Sequence, residues 1–406
     1  MQLTTSMVNT NQLLPTGKLE DKRASWFKKL KGLFENETHL FFNQVLNARF
    51  KQIDELIPDL KYQSSSKKVN STYYQKIISK ECPYLPQGWH TIERQAYQLF
   101  DNWAEAWCEY LIWQIKEKYC GTSSMSGSYP KQISINEDNF TDSVIEDISN
   151  HEQQYYTLHS DTPMKLSDAV TLINLSTFVK EQQWYEMLGS IELSNAGRHF
   201  ILTYNSEETT VPTIVSTVRI NLYEDAKNWL YFSSFFMSPN WQLVPKRNIL
   251  AQLGVTHHLL SSPLSLSAAD FDTQIWPELS TKHHCCEIIR MTVSGTQNQK
   301  MFFLYLSQKR LMKQLHEKSF EIAFVVIEQP FMIKYYESLP TDAYCHISRN
   351  ALSDSGFSTY KGLWLIKNLN YELQNSDFRK YKRQTLSQLK QHHKPVLEEH
   401  HVQLSI

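Results

Sequence analysis

The sequence predicts an α+β fold, in which a mixed sheet flanked by helices follows an additional N-terminal helical region, and three observations carry that expectation. First, from His283 to Leu339 a run rich in Ile, Val and Thr ends at Gly295. It is followed by MFFLYLSQKRLMKQLHEK, then EIAFVVIEQ, then Pro330 and FMIKYYESL. Phe303, Leu304, Leu311 and Leu315 recur near helical spacing, so the order reads strand, helix, strand, helix, a βαβ unit. Second, RHFILTY (198–204) and VPTIVSTVRINLY (211–223) flank the polar turn NSEETT, as paired strands do. Third, apolar residues between Ser25 and Tyr119 recur on helical faces.

Residues 1–22 are polar and aperiodic, the pattern of a mobile arm. Trp26, Phe27, Leu30, Leu33, Phe34, Leu40, Phe41, Val45 and Phe50 then share a helical face, and that run continues to about Leu60. Gln63–Val69, containing SSSKK, reads as a loop. Tyr73–Ile78 reads as a short helix ended by Cys82-Pro83 and Leu85-Pro86. His90–Tyr119 reads as one long helix whose stripe (Tyr97, Phe100, Trp103, Trp107, Tyr110, Leu111, Ile115) suits helix-to-helix packing better than an aromatic ligand cage. Residues 121–130 are rich in Ser and Gly, a linker.

Beyond a polar stretch to Ser160, Ser167 or Asp168 is placed to cap a helix carrying Val170, Ile173, Leu175, Phe178, Val179 and Trp184. In the second strand, Ile214, Val218, Ile220 and Leu222 fall on one face, with Thr213, Thr217, Arg219 and Asn221 on the other. Trp229–Met237 is a further strand candidate, and Lys246–Leu253 a short helix. Glu321–Gln329 is apolar without alternation, as in a strand buried on both faces, and Pro330 suits a first helical turn. Ala343–Arg349 and Gly362–Leu369 are strand candidates. Asp377–His392 reads as a basic surface helix.

At 406 residues the chain can hold two or three domains, and its formal charge of −1 gives no polyanion-binding signal. Nucleic acid is therefore not an expected partner. No stretch approaches the roughly 18 apolar residues of a membrane span, and the N-terminus lacks a basic segment followed by an apolar core, so a cytoplasmic location is expected. Six cysteines without CxxC spacing fit reduced thiols, and the His283-His284-Cys285-Cys286 run has no second ligand pair at zinc-site spacing. No metal is expected.

The order of elements from Ser167 onward resembles the GNAT acyltransferase fold. Within it, Cys286-Glu287-Ile288-Ile289-Arg290-Met291-Thr292-Val293 resembles the E-x-x-R-F-x-V strand of acyl-homoserine-lactone synthases, with Met291 where Phe is usual. Thr217-Val218-Arg219-Ile220 is similar to that family's earlier arginine strand, without its proline. Trp184 matches the aromatic residue beside the S-adenosylmethionine pocket. The family's E-x-D-x-x-D segment has no close counterpart, since Glu192-Leu193-Ser194-Asn195 keeps only the glutamate. That departure and the helical N-terminal region resemble the longer, divergent class, the LuxM or AinS type. The expected organisation is an arm (1–22), an N-terminal helical region (23–160), a GNAT-like acyltransferase domain (161–375) and a C-terminal helix and tail (376–406).

The resemblance implies synthesis of an N-acyl-homoserine lactone autoinducer from S-adenosylmethionine and an acyl thioester on acyl-carrier protein or coenzyme A. These are substrates, and no further cofactor is expected. An α-amine must lose a proton before it attacks a thioester, and a carboxylate in a cleft can take it. Glu287 is the candidate base, or else an ion-pair partner within the sheet. Arg219 and Arg290 can bind the substrate carboxylate in a bidentate way or hold Glu287 in place. Met291, Val293, Phe303 and Phe324 are candidates for contact with the acyl tail, or ordinary core. Because Arg290 is three positions after Glu287, an odd offset, a regular strand would point them to opposite faces, so a shared cleft requires a bulge between them.

Residues 294–299, SGTQNQ, precede a helix and offer N–H groups to a phosphate, or form a plain turn. The basic run in 379–394 suits docking of an acidic carrier protein, or is a solvated face. Two other functions fit the same residues: a GNAT acyltransferase with another amine acceptor, and a helical binding or regulatory protein that has lost catalysis.

Overall fold

The computed structural model describes residues 18–61, 63–121, 133–189, 193–206, 210–261, 266–327, 329–350 and 359–392. Ten strands lie among them: β1 (Phe140–Ile145), β2 (Gln154–Thr157), β3 (Ser160–Lys165), β4 (His199–Tyr204), β5 (Thr213–Leu222), β6 (Gln242–Leu243), β7 (Cys285–Val293), β8 (Ile322–Ile327), β9 (Tyr344–Asn350) and β10 (Thr359–Leu365). The chain divides into two compact units, Met1–Tyr129 with Glu152–Asn195, and Pro130–His151 with Ala196–Ile406.

Among the described residues the first unit is helical apart from the β2–β3 hairpin. Its first helix, Leu19–Phe34, carries Glu20 and Asp21 in the first turn, where the helix dipole favours carboxylates. A single helix from 25 to about 60 is not what forms. The 3-10 turn Glu35–Glu37 separates Leu19–Phe34 from Thr38–Leu56. Residues 65–70 are a helix rather than a loop, because the Ser64 hydroxyl accepts the Lys67 N–H and caps it. The run from 90 to 119 is likewise two helices, Trp89–Tyr97 and Trp103–Lys118. Asn102 breaks it, adopting an extended backbone and accepting the Glu105 N–H.

The aromatic stripe is core. The Trp103 ring centroid lies 5.0 Å from that of Phe42 and 6.3 Å from that of Trp26, and its indole N–H donates to the Phe42 carbonyl at 2.9 Å. The helix Leu166–Asn174 widens into a π-helical turn, Leu175–Glu181, ahead of Trp184. Most of the Ser/Gly linker, and Glu192, lie outside the described residues.

In the second unit eight strands pair in the order β1-β4-β5-β7-β8-β10-β9-β6, and among these pairs only β7–β8 is parallel. That pair and the helix Gln297–Glu317 between its strands are the βαβ unit expected from residues 283–339. Thr296 caps this helix through a capping box with Gln299, and Pro330 opens the helix Pro330–Glu337. Phe303, on Gln297–Glu317, packs on Phe140 of β1, with centroids 5.6 Å apart. The other face is covered by the turn around Trp229–Phe232 and by the helix Ala268–Ser280. There Trp229, Tyr231, Phe271 and Ile275 cluster with Phe324 and Leu363. Full burial of a side chain such as Phe324 contributes about 1.5–3 kcal/mol.

Three details depart from the sequence pattern. Residues 229–237 do not form a strand; the chain makes the 3-10 turns Tyr223–Asn228 and Leu230–Phe232 instead. The last strand ends at Leu365 and continues as the helix Ile366–Gln374, where a strand to Leu369 was expected. In β5, Leu202 pairs with Ser216 but Thr203 with Ile214, so Val215 is an extra residue. It separates Thr213 from the face shared by Thr217, Arg219 and Asn221.

Candidate active site

The central feature is a bulge in β7. Thr217 pairs with Thr292 and Arg219 with Ile289, so Arg290 and Met291 together oppose Val218. Arg290 takes up the irregularity with φ +55°, a left-handed conformation that costs a side-chain-bearing residue roughly 1–2 kcal/mol. The positive charge of Arg290 favours the ionised form of Glu287 and disfavours protonation of His199, so its field reaches both groups. The parallel ladder stops just short of the same point. Its pairs run from Cys285–Ile322 to Ile288–Val325, although β7 continues to Val293 and β8 to Ile327.

Glu287 precedes the bulge on β7 and is fully buried. Its Oε1 accepts the Tyr231 backbone N–H at 2.6 Å and its Oε2 accepts the Asn221 side-chain N–H at 2.6 Å. Burial pushes the carboxyl up to about 6; the N–H groups of Tyr231, Asn221 and Leu230 and the charge of Arg290 hold it down. Near neutral pH the group is therefore an ionised base whose conjugate acid titrates close by, as proton transfer requires. Asn221 stands opposite Glu287 in register, and its Oδ1 accepts Nε–H of Arg219 at 2.9 Å. A guanidinium only donates and a carboxylate only accepts, so the amide orientation follows from its two partners. Arg219, Asn221 and Glu287 thus form one hydrogen-bonded chain across β5 and β7.

His199 stands opposite Arg219 on β4. Its Nδ1 lies 2.9 Å from the Gly197 carbonyl, which can only accept, so the proton sits on Nδ1 and Nε2 carries a lone pair. That Nε2 is buried without a hydrogen-bond partner among the described residues. Burial, with Arg219 and Arg290, pulls the imidazole down to about 4, against the bond to Gly197. The ring is neutral at physiological pH.

The remaining candidates are spread over the molecule. Phe324 is in register with Glu287 on β8, buried among Trp229, Tyr231, Phe232 and Trp276 at centroid distances of 5.1 to 6.0 Å. Met291 and Val293 are half-buried on the part of β7 beyond the ladder. Phe303 is not brought to them. It packs on Phe140, whose partner Tyr204 alternates with His199 on β4 and so lies on the opposite face. Trp184 belongs to the first unit, where its ring meets Phe178 edge-on at 5.9 Å.

Sequence reasoning missed His199 and Tyr231 as members of the Glu287 environment. His199 belongs to no motif, though its place opposite Arg219 follows once β4 and β5 are paired. Tyr231 contributes a backbone N–H, which leaves no mark on residue type.

The pattern of the family described as acyl homoserine lactone synthase matches residues 19–394. The chain is 31% identical over 347 residues to the acyl-homoserine-lactone synthase LuxM of Vibrio harveyi, covering 84% of this chain and 86% of that one. It is 30% identical over 368 residues to LuxM of Vibrio atlanticus strain LGP32, covering 88% and 92%. Against the acyl-homoserine-lactone synthase OpaM of Vibrio parahaemolyticus the identity is 29% over 357 residues, covering 87% and 89%. No solved structure matches the chain.

Proposed function

We infer the reaction from one premise: the chain belongs to the acyl-homoserine-lactone synthase family, and is thus an acyltransferase of autoinducer synthesis. We propose S-adenosylmethionine and an acyl thioester, on acyl-carrier protein or coenzyme A, as its substrates. The observation that carries the proposal is Glu287, a buried carboxylate held by two donors beside the point where β7 and β8 part.

Glu287 takes a proton from the substrate ammonium, and the freed nitrogen attacks the thioester carbonyl. A nitrogen–carbon bond forms, the carbon–sulfur bond of the thioester breaks, and the thiolate leaves with a proton. Arg219 and Arg290 hold the substrate carboxylate. The lone pair on Nε2 of His199 accepts a hydrogen bond from the ammonium. In the second step a carboxylate oxygen attacks the carbon beside the sulfonium, whose bond electrons leave with sulfur as methylthioadenosine, and the lactone closes without net proton transfer. That step asks the protein mainly for geometry. The end of the β7–β8 ladder suits entry of an extended thioester arm, with the acyl chain along Met291 and Val293 and Phe324 beneath. No helix among the described residues is long and apolar enough to cross a membrane. The cytosol, where both substrates are made, is the proposed location.

The test is mass spectrometry of products from purified chain, S-adenosylmethionine and acyl thioesters of several lengths, beside Glu287→Gln. Acyl-homoserine lactone and methylthioadenosine in equal amounts, lost in the variant, support the proposal. Thioester consumption with another amine, without methylthioadenosine, would instead identify a different acceptor.

A further inference from the structure

Behind the Glu287 site lies a second buried charge cluster that the reaction itself does not use. Asp272, on the helix Ala268–Ser280, and Lys361, on β10, form an ion pair with Nζ 2.5 Å from Oδ2, both side chains at most 1% exposed. Lys361 also donates to the Phe236 carbonyl at 3.1 Å. The Trp241 ring centroid lies 5.6 Å from Lys361 Nζ and the Met237 sulfur 3.8 Å from it, so the ammonium is faced by largely apolar side chains. Two aliphatic side chains would fill the same volume without the cost of desolvating charge, so packing alone gives this pair no reason to be ionic.

What the pair holds is Tyr231. The other Asp272 oxygen, Oδ1, accepts the Tyr231 hydroxyl at 3.2 Å, and Lys361 Nζ sits 4.0 Å from the Tyr231 ring centroid. The phenol is fixed at its tip by the carboxylate and at its face by the ammonium. The backbone N–H of the same residue is the 2.6 Å donor to Glu287 Oε1. The short turn Leu230–Phe232 belongs to no ladder among the described strands, so side-chain anchors help to set its position. Lys361 and Glu287 also attract one another directly.

We propose that Asp272 and Lys361 are positioning residues for Glu287, acting through Tyr231 to keep one of the two donors on that carboxylate; the proposal rests on Glu287 being the base. The groups facing Glu287 are Asn221, the Tyr231 and Leu230 N–H groups and the charges of Arg290 and Lys361, with Arg219 behind Asn221 and Asp272 behind Tyr231. Loosening the turn removes a donor that favours the carboxylate and frees one oxygen to swing.

The experiment compares lactone formation against pH for the full chain, Glu287→Gln, Tyr231→Phe and the double variant Asp272→Asn/Lys361→Met, with melting temperatures for each. Wild type is expected to lose kcat in acid near pH 6. Both Tyr231→Phe and the double variant should lose kcat about tenfold with little change in KM, and their acid limb should move up by about one pH unit. Lys361→Arg should recover part of the loss. Folded variants with the wild-type kcat and acid limb would overturn the proposal, even with lowered melting temperatures. If the double variant does not fold, Tyr231→Phe, which keeps the ring, decides alone. Wild-type activity in Glu287→Gln removes the base reading itself, whereas an inactive Glu287→Gln beside an unaltered Tyr231→Phe removes only the positioning role.

Discussion

Two buried carboxylates, one in each unit, show how differently the same chemical group can be held. In the first unit Glu93 meets Arg49 through two parallel bonds of 2.7 Å, and the guanidinium is completed by Gln52 and by the carbonyls of Ile77 and Lys80. Tyr97 donates to Glu93 at 3.1 Å, and His90 Nδ1 lies 3.7 Å from its other oxygen. The charges cancel within the cluster. In the second unit Glu287 has neutral N–H donors instead of a bidentate cation, its carboxyl is pushed up to about 6, and its own strand carries a left-handed arginine three positions on. The first arrangement is closed on itself. The second keeps its base ionised but near titration, with the vacant lone pair of His199 on the same face.

The contrast predicts opposite responses to removal of charge. Glu287→Gln keeps the shape but only one of the two acceptors, since its amide nitrogen donates where a carboxylate oxygen accepted, and should lower kcat by about 10²–10⁴-fold, the usual range for a lost general base. The donor left unpaired costs about 1–3 kcal/mol, which relief of the buried charge offsets, so stability should change little. The folded carboxyl titrates near 6, above its ordinary 4.5, so the folded state binds more protons than the unfolded one between those values. Wild-type stability therefore declines as pH rises through that window, by about 2 kcal/mol in all. Urea unfolding at pH 7 should accordingly find Glu287→Gln close to wild type in stability, the lost acceptor offsetting the relieved charge, with a flatter pH dependence. A variant both inactive and markedly less stable would make Glu287 a structural residue like Glu93.

Arg49→Met should do the reverse. It strands a buried carboxylate and should cost about 3–5 kcal/mol, while Arg49→Met/Glu93→Leu recovers most of that. Thermal unfolding measures both. Per folded molecule, lactone formation should be unchanged in the double variant, since neither residue contributes to the chemistry proposed for Glu287.

The same contrast governs what the sequence made legible. The β7–helix–β8 unit could be read because its periodicity switches from strand to helix and back, and Pro330 marks the next start. Glu287, Arg290 and Arg219 could be singled out because their spacing resembles a known pattern. The residues that complete their environment could not. Asp272 and Lys361 are 89 residues apart, and nothing local signals that they meet. Residues 229–237, rich in aromatics, have strand-like composition, yet the N–H of Tyr231 goes to Glu287 and the Trp229 indole to the Leu222 carbonyl, so a tertiary partner decides against a ladder. The extra residue at Val215 shows the limit from the other side: one bulge is enough to reverse a face assigned by alternation.

The smallest effect expected is at Arg290, where strain and charge can be separated. Its φ of +55° is a conformation that glycine adopts freely, so Arg290→Gly should relieve roughly 1–2 kcal/mol of backbone strain. Glycine also gains freedom in the unfolded chain, which takes back about 0.5–1 kcal/mol. The charge that favours ionised Glu287 is lost as well, so the net change in the urea midpoint should be slight. Activity should fall all the same, mostly as a higher KM for S-adenosylmethionine, because the cation proposed for the substrate carboxylate is gone. Arg290→Asn, whose side chain also tolerates the left-handed region, should repeat both results. If either variant loses several kcal/mol, the bulge is held in place by the guanidinium, and the strained arginine belongs with Arg49 as part of the scaffold.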